Sequence, residues 1–455
     1  MCDARSPCQL SQAGSLPLSR ELDRTSQQRI RLELSRIFGH PRVASGQNFP
    51  HRAATRSVFY RDLCFRQARC PPPARRQEPA VNFGFTEDQD RLRDEFRRFL
   101  DERSPMTEVR RVAETGPGYS PDLWQKMGEL GWLGLTVPET YGGSGLAWID
   151  LVILLEETGR SLIPSPLIGH TLATTAILEA GSEEQKQRWL PDLALGRRIA
   201  SVAVVEEDNV YSSAAIRLEG KPMAEGFLLS GKKCSVPDPE SADLFVVAFR
   251  SGQAPEEVAL AVIEANAPGL DARAYPMIDA TKRMGNLNLS EIQVAPDAVL
   301  SGNGMKANAI DRLLDAGALA VAAEMGGSVD EALRITVEYA KQRIQFDRPI
   351  GQYQGVKHPL AEMYVDAESF KSLVYYGAWC FDNRPEELPR YASLAKAYAT
   401  EAFVRTGVDS IQIHGAVGFT TAQDIQLYFK RSKWGRPMFG DAEAHYERVV
   451  AQRGY

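Results

Sequence analysis

The chain has 455 residues, 44% of them hydrophobic and 25% charged, with a formal net charge of −6. That is enough apolar material for a large core in one to three domains. The acidic balance argues against nucleic acid as the main partner, and no apolar run reaches the roughly 18–20 residues that a membrane span needs.

The charge is unevenly spread. Residues 1–80 hold 14 Arg, no Lys and 6 acids, a net +8, which leaves −14 on the remainder. Cys2, Cys8, Cys64 and Cys70 fall in this stretch, while Cys234 and Cys380 stand alone. No pair has the spacing of a zinc site and nothing suggests a secreted disulfide framework, so a cytoplasmic location is expected. Residues 1–80 have three readings. They have the Arg-rich, acid-poor composition of an organelle transit peptide, they could form a disordered arm, or they could be a non-native extension translated from an upstream start. The lysine-free composition favours the last, with Val81 standing where an initiator would.

Residues 83–199 have helical spacing. Thr86 followed by Gln89 is a capping box, and Leu92, Phe96 and Leu100 then recur every four residues on one face. "SPDLWQKMGELGWLGL" and "WIDLVILLEETGRSL" have the same character. Between them, "VPETYGGSGL" (137–146) is glycine-rich. It lacks the GxGxxG pattern of phosphate loops, so a tight helix-to-helix turn is expected. Residues 200–300 change period. "GFLLSGKK", "DLFVVAF", "EVALAVIEA" and "LNLSEIQV" are short, apolar and separated by turn residues, which predicts a β domain. Residues 308–455 are helical again and predict an antiparallel bundle. The whole is an α+β chain.

Two stretches of the last block carry candidate chemistry. In "RIQFDRPIGQYQ" (343–354), Pro349 is expected to end the preceding helix. Arg343 offers a fork suited to phosphate, Gln345, Gln352 and Gln354 offer amides, and Phe346 offers an apolar face. Without a ligand the stretch reads as a charged interhelical loop. In "QIHGAVGFT" (412–420), Gly415 and Gly418 would let a backbone approach a ligand and Gln412 could bond it. The plainer reading is a helix C-cap and a turn, with His414 a satisfied structural histidine.

Taken together, in this order and layout, these stretches resemble the acyl-CoA dehydrogenase family. The resemblance covers about 83–450, from "FTEDQDRLRDEFRRFL" through "GWLGLTVPETYGGSGL" to "YAKQRIQFDRPIGQYQGVKHPLAEM" and "QIHGAVGFT". It implies an N-terminal helical domain, a middle β-barrel domain and a C-terminal four-helix bundle. It also implies FAD, oxidation of an acyl-CoA substrate to the 2-enoyl-CoA, and transfer of electrons to an electron-transfer flavoprotein. Arg343, Gln345, Phe346 and Gln354 match the stretch that holds the flavin's phosphate and adenosine part. Gln412, Gly415 and Ala416 match the turn that meets the flavin of a neighbouring subunit, so a homo- or hetero-oligomer is expected.

The chain departs from the family pattern in several places. Asp347 stands where glycine is usual, and Ala416 replaces the second glycine of the turn. "VVEEDNVYSS" (204–213) lacks the usual Pro-x-Ala-Gly-Ser core, and "KKCSVPD" (232–238) has Cys234 at the tryptophan position. Counted from Arg431, the common position of the catalytic glutamate falls on Gly440, and the alternative position falls near Gly317. Neither carries a carboxylate. Asp441, one residue on, is either an N-cap for the helix that follows or a displaced base. These departures fit one subunit of a mixed oligomer with shared active sites. The rivals are a homo-oligomeric dehydrogenase with Asp441 as base, and a non-redox acyl-CoA-binding or structural partner.

Overall fold

Helix α1 (Glu87–Arg103) starts where its cap is encoded. The Thr86 hydroxyl accepts the Gln89 N–H at 3.2 Å, and the Gln89 side chain accepts the Thr86 N–H at 3.1 Å. Phe96 and Leu100 are buried beneath it. The computed structural model describes residues 84–114, 116–302 and 306–452, all within one compact unit. The three readings of residues 1–80 lie outside the described residues.

Five further helices follow: α2 (Met106–Glu114), α3 (Pro121–Glu129), α4 (Trp148–Arg160), α5 (Leu167–Ala180) and α6 (Glu183–Ala194). The glycine-rich stretch before α4 is a turn folded on itself. The N–H groups of Ser144, Gly145 and Leu146 donate to the carbonyls of Gly134, Val137 and Leu135 at 3.0, 2.8 and 2.7 Å. Those donors are therefore spent inside the chain and not offered to a phosphate.

The middle strands form two sheets. One has the order β1 (Ala200–Ala203), β4 (Leu244–Arg250), β5 (Val258–Glu264), with β1 and β4 parallel. The other is antiparallel, in the order β2 (Gly220–Pro222), β3 (Phe227–Pro237), β7 (Met284–Val294), β6 (Leu270–Tyr275). Alternate residues of both turn inward on one core that includes Leu229, Phe245, Phe249, Leu287 and Leu289. Among the described residues the ladders do not close into a ring. Narrow backbone seams join the sheets instead, Cys234 N–H to Val205 O at 2.9 Å and Arg250 N–H to Leu218 O at 2.8 Å.

The chain then enters α7 (Lys306–Gln342), α8 (Gln354–Asn383), α9 (Leu388–His414), α10 (Ile425–Gly435) and α11 (Ala442–Ala451). Helices α7 to α10 pack on one another, and α4 packs on α7. That last crossing needs glycine: a Cβ on Gly327 would lie 1.7 Å from the Glu156 carbonyl oxygen, and one on Gly159 would lie 1.9 Å from that of Glu324. No described helix is long and apolar enough to cross a membrane.

Buried charges tie the three parts together. Arg431 on α10 bonds Asp279 and Thr281, each at 2.6 Å, and pairs with Glu324 on α7. Lys282 reaches Glu324 at 2.8 Å, and the Arg431 guanidinium also reaches Leu162 O at 3.4 Å. Each acid faces a cation, which is the condition under which buried charge is tolerated.

Candidate functional site

A cavity of about 540 Å³ lies between the 209–212 loop, the start of α7 and residues 437–448. Both sequence positions counted for a carboxylate border it or lie just behind it. Phe439 and Gly440 both take left-handed backbone, with φ of 54° and 98°. The Phe439 ring lies over Gly317 so closely that a Cβ there would be 2.3 Å from it, and the Tyr211 ring lies beside it at 5.3 Å. A Cβ on Gly440 would point at His445 Nε2, 2.9 Å away. The space above Gly317 thus holds an aromatic ring.

Asp441 lines the same cavity and is the N-cap of α11, its Oδ1 accepting the Ala444 N–H at 3.0 Å. His445 is buried and its Nε2–H donates to Phe439 O at 2.8 Å. A carbonyl can only accept, so the proton sits on Nε2, and Nδ1 has no hydrogen-bond partner among the described residues. Burial, helped by the nearby Lys396 ammonium, pushes the His445 pKa down to about 3 and keeps the ring neutral. Arg448 on the cavity wall pairs with buried Asp315.

Lys396 was missed by the sequence reading. It is fully buried, and its Nζ donates to Gly440 O at 2.8 Å, Arg436 O at 3.1 Å and Thr400 Oγ1 at 2.8 Å. The carbonyls it grips flank Phe439. Burial pushes its pKa down to about 7, against the opposing pull of Asp441. The signal was available: in "YASLAKAYATEAF", Lys396 falls at helical spacing with Ala392, Ala399 and Phe403, a face otherwise apolar.

The departing middle segments are also held by a buried lysine. Lys233 Nζ bonds Glu206 Oε1 at 2.8 Å and Val204 O at 2.9 Å. Glu206 in turn accepts the N–H groups of Leu218 at 2.8 Å and Arg217 at 3.0 Å. One ion pair therefore fixes "VVEEDNVYSS" against "KKCSVPD". Burial pushes Lys233 down to about 8, with Glu206 opposing.

The helix that leads into the first candidate stretch contacts the second at one end of the bundle. The Tyr339 and His414 rings stack at 4.3 Å, and the Tyr339 hydroxyl donates to His414 O at 3.3 Å. Residues 343–349 are not the expected loop. Helix α7 ends at Gln342, well before Pro349, and a hairpin follows: β8 (Ile344–Gln345) pairs with β9 (Arg348–Pro349). Pro349 therefore closes a strand and not a helix. The two residues between the strands, Phe346 and Asp347, have φ of 51° and 64°, the two-residue turn that glycine favours. Aspartate is one of the few other residues that enter this region cheaply, so Asp347 fits the backbone in place of glycine.

Arg343, Gln345, Gln354, Gln412, Gly415 and Ala416 are all exposed, and Phe346 is 87% exposed. No ion pair among the described residues engages Arg343. Gly415 has φ 65° and caps α9, and a Cβ there would meet nothing within 4 Å. This end thus offers a free guanidinium, amides, an apolar ring and open backbone to something outside the chain. It suits an anionic, flat ligand such as a dinucleotide, with the Asp347 carboxylate as the one unfavourable element. His414 is buried with Nδ1 on Ser410 O at 2.8 Å, but its Nε2 has no hydrogen-bond partner among the described residues, so it is not the fully satisfied histidine expected.

The N-terminal domain of the acyl-CoA dehydrogenases matches residues 86–197, and their C-terminal domain matches residues 302–453. The chain belongs to the acyl-CoA dehydrogenase family. It is 30% identical over 348 residues to acyl-CoA dehydrogenase IpdE2 of Mycobacterium tuberculosis, covering 76% of this chain and 91% of that one. The IpdE2 of Mycolicibacterium smegmatis is 29% identical, over 81% of this chain and 99% of its own. A similar solved structure, the ChsE4–ChsE5 complex from Mycobacterium tuberculosis, has a TM-score of 0.75 at 25% identity and covers 82% of this chain and 99% of that one. The family's helix–strand–helix order is the one described above.

Proposed function

We propose that the chain is one subunit of a mixed acyl-CoA dehydrogenase that oxidises an acyl-CoA to its 2-enoyl-CoA and passes electrons to an electron-transfer flavoprotein. The observation that carries this reading is the Phe439 ring over Gly317, at the place where the family pattern calls for a carboxylate. With glycine at both of the positions counted for that carboxylate, a chain of this fold would take its base from a partner. The relative ChsE4 is named in a complex of two unlike chains, which favours the same arrangement. FAD, when bound, supplies the acceptor for the substrate's β-hydride. Arg343 would hold its phosphates, Gln345, Phe346 and Gln354 its adenosine end, and Gln412, Gly415 and Ala416 the flavin of the neighbouring subunit. In the cavity, Phe439 and Tyr211 exclude water, and Lys396 holds the turn that carries Phe439. A cytoplasmic location is the expectation that accompanies this chemistry.

The second reading, a homo-oligomer with Asp441 as base, is favoured by one observation: Asp441 borders the same cavity. Its cap bond occupies Oδ1 and leaves the other oxygen for a proton. The visible spectrum of the purified chain separates the two. A nearly colourless, inactive chain that gains flavin and dehydrogenase activity with a second dehydrogenase-like chain supports the mixed assembly. A stoichiometric flavin band with full activity in the chain alone supports the homo-oligomer. A colourless chain that binds acyl-CoA and gains no activity with such partners is the remaining, non-redox case.

A further inference from the structure

We propose that Phe439 is a specificity-determining residue, whose ring is the stopper that sets how far an acyl chain enters the cavity along α7. The inference rests on the acyl-CoA reading of that cavity. The cavity has a direction. Asn209, Val210, Pro437, Ala444 and Glu447 in its lining are exposed and mark the open side, while Leu314, Phe439 and His445 are buried and mark the inner end. Leu314 and Gly317 lie three residues apart, on one face of α7. Beyond Leu314 that face has no side chain at Gly317, and the vacated space is filled by the Phe439 ring, with Tyr211 beside it. The groove along α7 therefore ends because of a side chain from the opposite wall.

The placement of that ring is enforced. Phe439 has φ 54°, a region a bulky residue occupies only when its surroundings demand it. Those surroundings are present. Lys396 bonds the carbonyls of Arg436 and Gly440 on either side, and His445 bonds the carbonyl of Phe439 itself. A turn whose backbone is held by three such bonds, with its ring packed on Gly317 and Tyr211, presents that ring as a fixed wall. Lys396 is accordingly a positioning residue for the stopper.

The test is isothermal titration of the full chain, both alone with FAD and assembled with a second dehydrogenase-like chain and FAD, against butyryl-, octanoyl- and palmitoyl-CoA and free CoA. The comparison is wild type with F439A, F439L and F439W. Wild type should favour the shorter chains. F439A should shift the palmitoyl-to-butyryl affinity ratio towards palmitoyl by at least about tenfold, a few methylenes' worth of selectivity. F439L should shift it less in the same direction, and F439W should shift it the other way. K396M should move the ratio as F439A does, because the wall loosens. If F439A does not fold, F439L and F439W carry the comparison. Acyl-CoA binding with an unchanged ranking in all the folded variants overturns the proposal and leaves the acyl-CoA reading standing. Failure of every folded form to bind any acyl-CoA better than free CoA overturns both.

Discussion

Replacing Lys396 by methionine should remove a pH-dependent penalty on folding. The ammonium is fully buried, and its three bonded acceptors, two carbonyls and a hydroxyl, are neutral. Burial lowers its pKa from 10.5 to about 7, with Asp441 partly opposing. In the unfolded chain the ordinary value returns. Between pH 7 and 10.5 the unfolded chain therefore holds more protons at this site than the folded one. The penalty is absent above pH 10.5, grows as the pH falls through that window, and is complete below pH 7. At 1.36 kcal/mol per pKa unit its full size is roughly 5 kcal/mol. Asp441 and His445 are the other titratable groups facing this lysine, and His445 stays neutral throughout the window. The methionine variant loses the bonds to the Arg436 and Gly440 carbonyls at every pH, but it carries no titration. Melting both proteins from pH 6.5 to 9.5 gives the answer. The wild type should gain several degrees on K396M over that range. A difference that does not change with pH would show that the ammonium is solvated or charged alike in both states.

Three further outcomes follow from named contacts. Arg343→Ala should cut FAD affinity about tenfold or more in the assembly that binds it, since a charge-assisted bond contributes about 1.5–3 kcal/mol; unchanged affinity in a flavin titration would place the phosphates elsewhere. Arg431→Met should lower stability by about 3–5 kcal/mol, because it leaves Asp279 and Glu324 buried with Lys282 as their remaining cation, and an unshifted melting temperature would contradict the network. Asp441→Asn keeps an N-cap and should barely change melting. In the mixed assembly its turnover should fall less than about tenfold, whereas a loss of about 10²–10⁴-fold in an active isolated chain would make Asp441 the base.

Periodicity made the helices and the longer strands legible. The capping box at Thr86 and Gln89 marks the start of α1, and strands β3, β4, β5 and β7 fall on the four apolar runs. Strands β1, β2 and β6 were missed. Two are only four and three residues long, too short for a period-two signal; β6, LDARAY, does alternate apolar with charged residues and packs Leu270 and Ala272 on the core, so that signal was present and overlooked. The 344–349 hairpin was misjudged because its turn is Phe-Asp, and left-handed backbone without glycine leaves no mark in the sequence. Of the site, the segments were visible but their meeting was not. Phe439 reaches Gly317 across more than a hundred residues, and Lys396 reaches Gly440 from another helix. Such contacts depend on how the helices pack, which local spacing does not encode.

The buried charges point to where function lies. At the junction of the three parts, Arg431 and Lys282 face Asp279 and Glu324. That set is balanced and holds the architecture. Beside the cavity the pattern differs. Lys396 is bonded to neutral acceptors, and the His445 Nδ1 has no partner among the described residues. Buried polar groups left without partners are costly, and others occur away from the cavity, at His414 Nε2 and Trp434 Nε1, so what distinguishes Lys396 and His445 is where their bonds converge. Both of these groups grip the same turn, and that turn carries Phe439 and Asp441 into the cavity wall. Their bonds thus converge on the few backbone atoms that set the position of that wall.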